Sequence, residues 1–429
     1  MKIHIVGAGP TGMSLAWELL KSGDHEVMIY DKKISAGGSW WEPEIGTRDL
    51  HAHRILFDRA FINTRSLLKE MNIEWSEMFE SVEKMSVLKY AFECFTLRDY
   101  VTLTSLFSAV LSQPKKYLGI SLKDAVGFLS KKGNDYIEHL PLIMDGVTWD
   151  VMSAYEFVTN LDHTIMSEMY TQKVSGKVMC DAMEEALLNA GANFVFGTEL
   201  LDVKYGKKDF VAKFSDERVV EDGLLFLCLD NSPALKLLGD NWGPDADKKL
   251  RASTYGAINV LLDYDEPVNL KTDVEIAVET KWNLQPKVLH GTNTVSCVIC
   301  DLSKEVLNSD PDTIKQEVIK QLGLSHPIAS RIGWGAEWKN NKWNFSQSSG
   351  VLSLHGQLPF FGKCRSVAMC GMMSPRNTPY SSIESSVEVS RSLSNLCFGT
   401  RKPLKPRLVT DVLKCIIVLL IVLLLVKYR

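Results

Sequence analysis

The first thirty-one residues restrict the fold more than any other stretch of this chain. Lys2 to Val6 is a short apolar run that reads as a buried strand. Gly7-Ala8-Gly9-Pro10-Thr11-Gly12 follows at once, and Met13 to Lys21 then carries Met13, Ala16, Trp17 and Leu20 at helical spacing. Glu26 to Tyr30 reads as the next strand, closed by Asp31, which lies 19 residues beyond Gly12. Strand, glycine turn, helix, strand and acid in that order describe a dinucleotide-binding βαβ unit. Gly7 permits the tight turn, Gly9 lets the backbone approach a pyrophosphate with no Cβ in the way, and Gly12 lets the helix lie close on the strand. The helix opens at Thr11, where free N–H groups and a partial positive charge face the phosphates. Asp31 is placed to accept hydrogen bonds from ribose hydroxyls.

Composition narrows the class. A chain of 429 residues is long enough for two or three folding units. With 45% apolar and 23% charged residues, it is neither disordered, collagen-like nor a small disulfide-stapled protein. The net charge of −4 argues against nucleic acid as a partner. That average hides an asymmetry, because residues 401–429 carry seven Lys/Arg against one Asp. The nine cysteines show no zinc-binding rhythm; Cys297-Val-Ile-Cys300 sits in an apolar run without a second pair, so no metal site is expected. An odd cysteine count and a strand at the very start, leaving no room for an export signal, point to a reducing, cytosolic setting for the body.

Gly37-Gly38-Ser39 follows the second strand, and Asp49-Leu50-His51-Ala52-His53 comes next. Here the sequence resembles the flavin-containing amine oxidase superfamily, which includes monoamine and polyamine oxidases, protoporphyrinogen oxidase and carotenoid desaturases. The resemblance implies FAD, bound non-covalently because no attachment cysteine is identifiable. It implies that Gly37, Gly38 and Ser39 approach the flavin diphosphate and that the His51–His53 stretch runs beside the isoalloxazine. It also implies that the strand beginning at Leu200 lays its backbone against the adenine. Near the end of the body, Arg365 to Gly371 reads as a strand ending in glycine, and Ser382-Ile383-Glu384-Ser385-Ser386 opens a helix through Leu396. This is similar to the closing motif of the same family. Gly371, Ile383, Glu384 and Ser385 would then contact the cofactor, with the helix N-terminus directed at the flavin pyrimidine edge. An ordinary capped helix with Ser382 as N-cap accounts for the same residues.

The expected fold is α/β, a Rossmann-like FAD-binding domain of the GR2 type with an inserted α+β substrate domain and a C-terminal hydrophobic helix. The expected boundaries are 1–53, 177–250 and 363–398 for the FAD domain, and 54–176 and 251–362 for the substrate domain. A basic linker at 399–411 and an anchor at 412–427 would follow. Helical spacing dominates the first substrate segment, including Arg59 to Met71, Thr102 to Leu111 and Glu156 to Tyr170. Strand-like alternation appears at Ala257–Leu262, Val274–Val278 and Val295–Ile299. Trp334, Trp338 and Trp343 read as packing residues, or as walls of a substrate cavity.

Three positions depart from the resembled pattern. Ser39 stands where an arginine commonly bridges the diphosphate, so another cation such as Lys32 or Arg48 would have to compensate. Asn259 stands where amine oxidases place a lysine that holds a water near flavin N5; it orients a water but supplies no charge to oxygen chemistry. His51 replaces a small residue and, with His53, offers the best acid–base candidates if that loop reaches the flavin. Asn259 and His53 are therefore the candidate catalytic residues.

Cys415 to Val426 is an unbroken apolar run of twelve residues, extended to fifteen from Val412, with basic residues on both sides. Fifteen helical residues reach about 22 Å against a hydrocarbon layer of roughly 30 Å. Snorkelling of Lys414 makes a short span feasible, and a buried terminal element is the plainer reading. The sequence thus leads to a tail-anchored FAD-dependent oxidoreductase with its body on the cytosolic face. It would remove a hydride from a C–N or C–C bond of a small-molecule substrate. Alternatives are a flavin-dependent isomerase resembling UDP-galactopyranose mutase, or an anchored flavin-fold protein without turnover.

Overall fold

Apolar residues on both faces make the opening strand a central one, and it pairs in parallel on each side. In the computed structural model, β1 (Lys2–Val6) lies between β2 (Glu26–Tyr30) and β4 (Leu224–Leu227). β3 (Asn193–Val195) and β5 (Val367–Met369) take the outer positions, giving the order β5-β4-β1-β2-β3. The structure describes residues 1–42, 54–82, 93–252, 255–270, 280–333, 335–345, 357–412 and 414–415. The sheet is thus assembled from three separated stretches of chain, and strands covered on both faces read as near-continuous apolar runs.

The helices that matter here are α1 (Pro10–Leu20), α2 (Ile62–Glu70), α3 (Leu97–Ser112), α4 (Lys131–Asp145), α5 (Ala154–Thr164) and α6 (Ile383–Phe398). α1 and α6 lie against each other on one face of the sheet, sharing one core with β1, β2 and α2. The antiparallel strands Leu200–Tyr205, Phe210–Phe214 and Val219–Val220 cover the other face through Tyr30, Phe214 and Leu227. α3 to α5 build a separate helical core around Val110, Ile137 and Phe157.

The helix expected through Tyr170 stops earlier. A capping box between Ser153 and Glu156 starts α5, which ends at Thr164. Met169–Gln172 instead forms the middle strand of a small sheet between Leu56–Phe57 and Phe79–Val82. Pairing on both edges outweighs the helical spacing of the preceding residues.

The second sheet runs in the order Gln285–Val288, Thr294–Ile299, Ile258–Asp263, Ala329–Ile332, all antiparallel. Ile258, Val260, Leu262, Val295 and Cys297 point to one side, where they meet Ile314 and Val318 of the helix Pro311–Leu322. The opposite side faces the central cavity. The expected strand at Val274–Val278 lies outside the described residues.

Trp338 and Trp343 stand on the two strands of a hairpin. Ala336–Lys339 pairs with Lys342–Phe345 across Asn340 and Asn341, whose φ angles of 53° and 57° are those of a tight two-residue turn. Trp338 and Trp343 meet edge to face at 5.3 Å, and Trp343 Nε1–H donates to the Ser309 carbonyl at 3.0 Å. Both pack on the core of this domain and take no part in the cavity wall. Trp334 lies outside the described residues.

The basic segment after α6 is docked on the body. Arg401 Nη2 donates to Glu18 Oε1 at 2.5 Å, the Leu404 amide to Asn63 Oδ1 at 2.7 Å, and the Thr410 amide and hydroxyl to Asp162, each at 2.9 Å. The apolar run from residue 416 onward lies outside the described residues. Among the described residues, no helix is long and apolar enough to cross a membrane.

Candidate functional site

At the carboxyl ends of β1, β2 and β4, where open α/β sheets bind their ligands, lies a cavity of about 590 Å³. Its outer end is backbone-lined. Gly7, Gly9, Thr11, Asp31, Gly38, Ser39, Leu200 and Gly371 all border it. The two glycine turns touch: a Cβ on Gly38 would stand 2.6 Å from the Gly9 Cα, so neither turn tolerates a side chain there. Gly12 acts below the cavity, where a Cβ would stand 1.9 Å from the Gly7 carbonyl oxygen. Gly37 likewise supports the floor from outside, its amide donating to the Ala8 carbonyl at 2.9 Å.

Asp31 braces this end while keeping acceptor capacity. Oδ2 accepts from the Ala8 amide at 2.7 Å and Oδ1 from the Lys33 amide at 2.9 Å, which leaves a lone pair on each oxygen for a ribose hydroxyl. The cation missing at position 39 arrives from elsewhere in the chain. Arg54 Nη2 donates to Ser39 Oγ at 3.0 Å, its guanidinium stacked 4.4 Å from the Trp40 ring centroid, and Arg54, Lys32 and Lys33 all line the cavity. Sequence reasoning did not find Arg54, because nothing local marks a residue fifteen positions from the serine it meets. Arg48 and the histidines His51 and His53 lie outside the described residues.

The start of α6 forms the middle of the cavity through Ser382, Ile383 and Ser385. Ser382 and Ser385 cap each other, which uses the Ser385 amide and leaves the earlier amides of that turn facing the cavity region. Glu384 corrects the expectation made for it. Its carboxylate turns away and accepts from the amides of Asn63 (3.0 Å) and Thr64 (2.8 Å), from Asn63 Nδ2 (2.7 Å) and from Thr64 Oγ1 (2.8 Å). It caps α2, whose first-turn N–H groups would otherwise be buried without acceptors.

Asn259 requires a second correction. It is fully buried, takes a hydrogen bond from Ser296 Oγ at 2.9 Å, and does not border the cavity. A buried side-chain amide must be satisfied, and the neighbouring strand does so here. Ala257, Gln285 and Val298 form the wall on this side.

The inner end is different in kind. Arg376, Asp145, Tyr255, Ser381 and Gln285 line it, and Glu156 lies behind them. Asp145 Oδ1 accepts from the Ser381 amide at 3.2 Å, and Glu156 Oε2 from the Ser153 amide at 3.2 Å. Burial pushes the Asp145 carboxyl up to about 6 and that of Glu156 up to about 7, the latter raised further by the Asp145 charge. Burial also lifts the Tyr255 hydroxyl to about 12 and draws the Arg376 guanidinium below its ordinary value. No motif in the sequence marks this group; its members come from α4, α5, the strand Gln285–Val288 and two loops.

A family model for an NAD(P)-binding Rossmann-like domain matches residues 5–66. Among solved structures, an oxidoreductase from Methanosarcina mazei superposes with a TM-score of 0.65 at 14% identity, over 92% of this chain and 100% of that one. A cofactor-site triple mutant of putrescine oxidase superposes with a TM-score of 0.64 at 13% identity, over 93% and 98%. Among curated proteins, the thiamine thiazole synthases of Thermococcus kodakarensis and Pyrococcus horikoshii are 26% and 29% identical over 156 and 153 residues, 36% of this chain in each case. The chain spans about half the length of these relatives, 53% in both. Sheet and glycine turns together define a Rossmann-like fold, with a second, antiparallel sheet bordering the same cavity. Within that class, the overall fold is similar to that of putrescine oxidase along almost the whole chain.

Proposed function

We propose that this chain is an FAD-dependent oxidoreductase of the amine oxidase type. One observation carries the reading: a single cavity joins the glycine-turn cradle, closed by the Gly9–Gly38 contact, to a chamber lined by Asp145, Gln285 and Arg376. The residues present suit the cofactor. Asp31 would hold the adenosine ribose, the backbone at Leu200 the adenine, and Thr11, Ser39 and Arg54 the diphosphate. The first turn of α6, at Ile383 to Ser385, would meet the pyrimidine edge. When bound, FAD supplies the hydride acceptor. The protein's own contribution is orientation and exclusion of water: the wall of Ala257, Gln285 and Val298 faces α4 across the chamber, so a substrate C–N or C–C bond is held between fixed surfaces. With Asn259 tied to Ser296, this side of the chamber offers no cation for reaction with oxygen among the described residues, which favours an acceptor other than oxygen.

The isomerase alternative calls for several arginines clustered to hold a substrate diphosphate. Among the described residues the cavity has Arg54 at one end and Arg376 at the other, which supports the oxidoreductase reading instead. The apolar run ending the sequence supports a membrane anchor with the body on the cytosolic face. The docking of residues 401–410 would then hold the body close to the bilayer.

The test is the visible spectrum of the detergent-purified full chain, followed by anaerobic reduction with a panel of amines. Stoichiometric flavin bleached by at least one amine is expected. A protein that is colourless and takes up no FAD on reconstitution overturns the proposal. The anchor is tested separately by alkaline extraction of membranes, which should release a variant ending at Asp411 and not the full chain.

A further inference from the structure

The unsatisfied groups at the inner end of the cavity are donors. Arg376 is 8% exposed, and Nε, Nη1 and Nη2 all lack a hydrogen-bond partner. Gln285 is 6% exposed, and its Nε2 is also bare, as is Ser381 Oγ. All three residues line the same cavity. Native proteins rarely leave such groups unpaired, and a buried guanidinium without an acceptor is among the costliest cases.

The nearby carboxylates do not supply the acceptor. Asp145 is engaged by the Ser381 amide and Asn160 Nδ2, Glu156 by Ser153, and Glu388 by the amides of Asn377 and Thr378 and by Asn377 Nδ2. They act on Arg376 through space, together with Tyr380, but none forms an ion pair with it. The Arg376 backbone is held from behind, its carbonyl accepting from Gln357 Nε2 at 2.8 Å, which leaves the side chain free to turn. What is missing is a planar oxyanion that accepts from the forked nitrogens in pairs, and from the Gln285 amide that lines the same cavity.

Resting on the flavin reading of this cavity, we propose that Arg376 and Gln285 form a carboxylate-binding subsite. The substrate class is then a small amine that also carries a carboxylate, as opposed to a simple diamine. The nitrogens are closed off from solvent, so the ligand engages them as the side chain turns into the cavity it lines. The Arg376 charge neutralises the substrate carboxylate and orients the other end of the molecule toward the first turn of α6.

The test uses the purified full chain and three probes of similar size: benzoate, benzamide and benzylamine. Affinity is read by calorimetry and by perturbation of the flavin spectrum. Benzoate should bind at least about tenfold more tightly than either neutral benzamide or cationic benzylamine, as expected for charge-assisted bidentate bonding. Arg376→Met should weaken benzoate by about a hundredfold and Arg376→Lys by about tenfold, the lysine keeping charge but losing the fork. Both should retain flavin at the unmutated stoichiometry. Equal binding of benzoate and benzamide, or unchanged benzoate affinity in Arg376→Met, overturns the proposal. So does loss of flavin from either variant, which would assign Arg376 to the cofactor. If Arg376→Met does not fold, the lysine variant decides. The two readings fail separately: a colourless protein that binds benzoate through Arg376 sinks only the flavin assignment, and a flavin-loaded protein indifferent to carboxylates sinks only the subsite.

Discussion

Two buried arginines, fifteen positions apart, stand in opposite circumstances. Arg391, fully buried in α6, has its partners in the protein. Nε donates to Glu18 Oε1 at 2.9 Å, Nη1 to Asn63 Oδ1 at 2.9 Å, and Nη2 to Ser66 Oγ and Glu70 Oε1, each at 3.3 Å. It ties α1, α2 and α6 together on the far side of the sheet from the strands Leu200–Tyr205, Phe210–Phe214 and Val219–Val220. Arg376, in the loop that precedes α6, has no hydrogen-bond partner at any nitrogen among the described residues. A buried charge that is complete within the protein is part of the architecture. One left incomplete at a cavity wall points to something outside the chain that completes it.

The comparison breaks first on stability. Arg391→Met leaves Glu18 and Asn63 facing a void in charge, and removing one partner of such a buried set costs about 3 kcal/mol or more. The urea midpoint should fall sharply. Arg376→Met removes donors that bond to nothing, so without ligand the same measurement should show no loss, or a gain of about 1 kcal/mol. If both variants lose stability equally, the distinction between the two arginines is wrong.

A second pair sharpens the contrast at the cofactor end. Arg54→Met removes the cation stacked on Trp40 and should weaken FAD by roughly thirtyfold, on the scale of hydrogen bonds to charged groups. Ser39→Ala keeps that cation, and its loss should be several times smaller. Titration of deflavinated protein with FAD measures both. Equal losses would mean that Arg54 acts only through the serine.

The outer end of the cavity was legible in the sequence because its rules are local. Gly9, Gly12 and Asp31 follow from a spacing fixed by one βαβ unit, and Gly38 and Ile383 from short motifs with fixed neighbours. Glu384 shows the limit of that reasoning, since the motif placed the residue but not the direction of its carboxylate. That direction depends on α2, more than three hundred positions earlier. Asn259 is similar: its strand was readable, but the Ser296 hydroxyl that claims it lies on another strand. Arg54 and the Asp145–Glu156–Arg376 group left no signal, because these side chains meet only through tertiary folding and each alone looks like an ordinary surface charge.

The inner end should also respond to pH. Burial raises the carboxyls of Asp145 and Glu156 to about 6 and about 7, so the folded protein holds these protons more tightly than the unfolded chain. Stability from them is fully present below about pH 4 and is lost as pH rises from there toward 7, because the unfolded state ionises first. The groups acting on Glu156 are Asp145, Arg376 and the Ser153 cap, and Glu156 in turn raises the hydroxyls of Tyr155 and Tyr255. Glu156→Gln keeps a cap acceptor and cannot ionise. Relative to the unmutated protein it should gain about 1 kcal/mol at pH 8 and little at pH 5. A constant difference across that range would show that Glu156 does not titrate there.

The smallest effect belongs to the outer edge of the Arg391 set. Arg401 reaches Glu18 and Glu70 from the docked terminal segment, and at 39% side-chain exposure its ion pairs are partly screened by water. Burial alone would raise the Glu70 carboxyl, but donors from Arg401, Ser66 and Trp17 outweigh it and hold the group at about 2. A depressed carboxyl stabilises the fold above its unfolded value and loses that contribution as pH falls through its folded one. Arg401→Ala should therefore cost about 1 kcal/mol at pH 7, in the range for exposed pairs that belong to a network. The deficit should shrink below pH 4 and vanish near pH 2, and salt should reduce it at neutral pH. The same variant should leave benzoate affinity unchanged, since it disturbs the satisfied arginine and not the bare one; a change in that affinity would mean that the two regions are not independent.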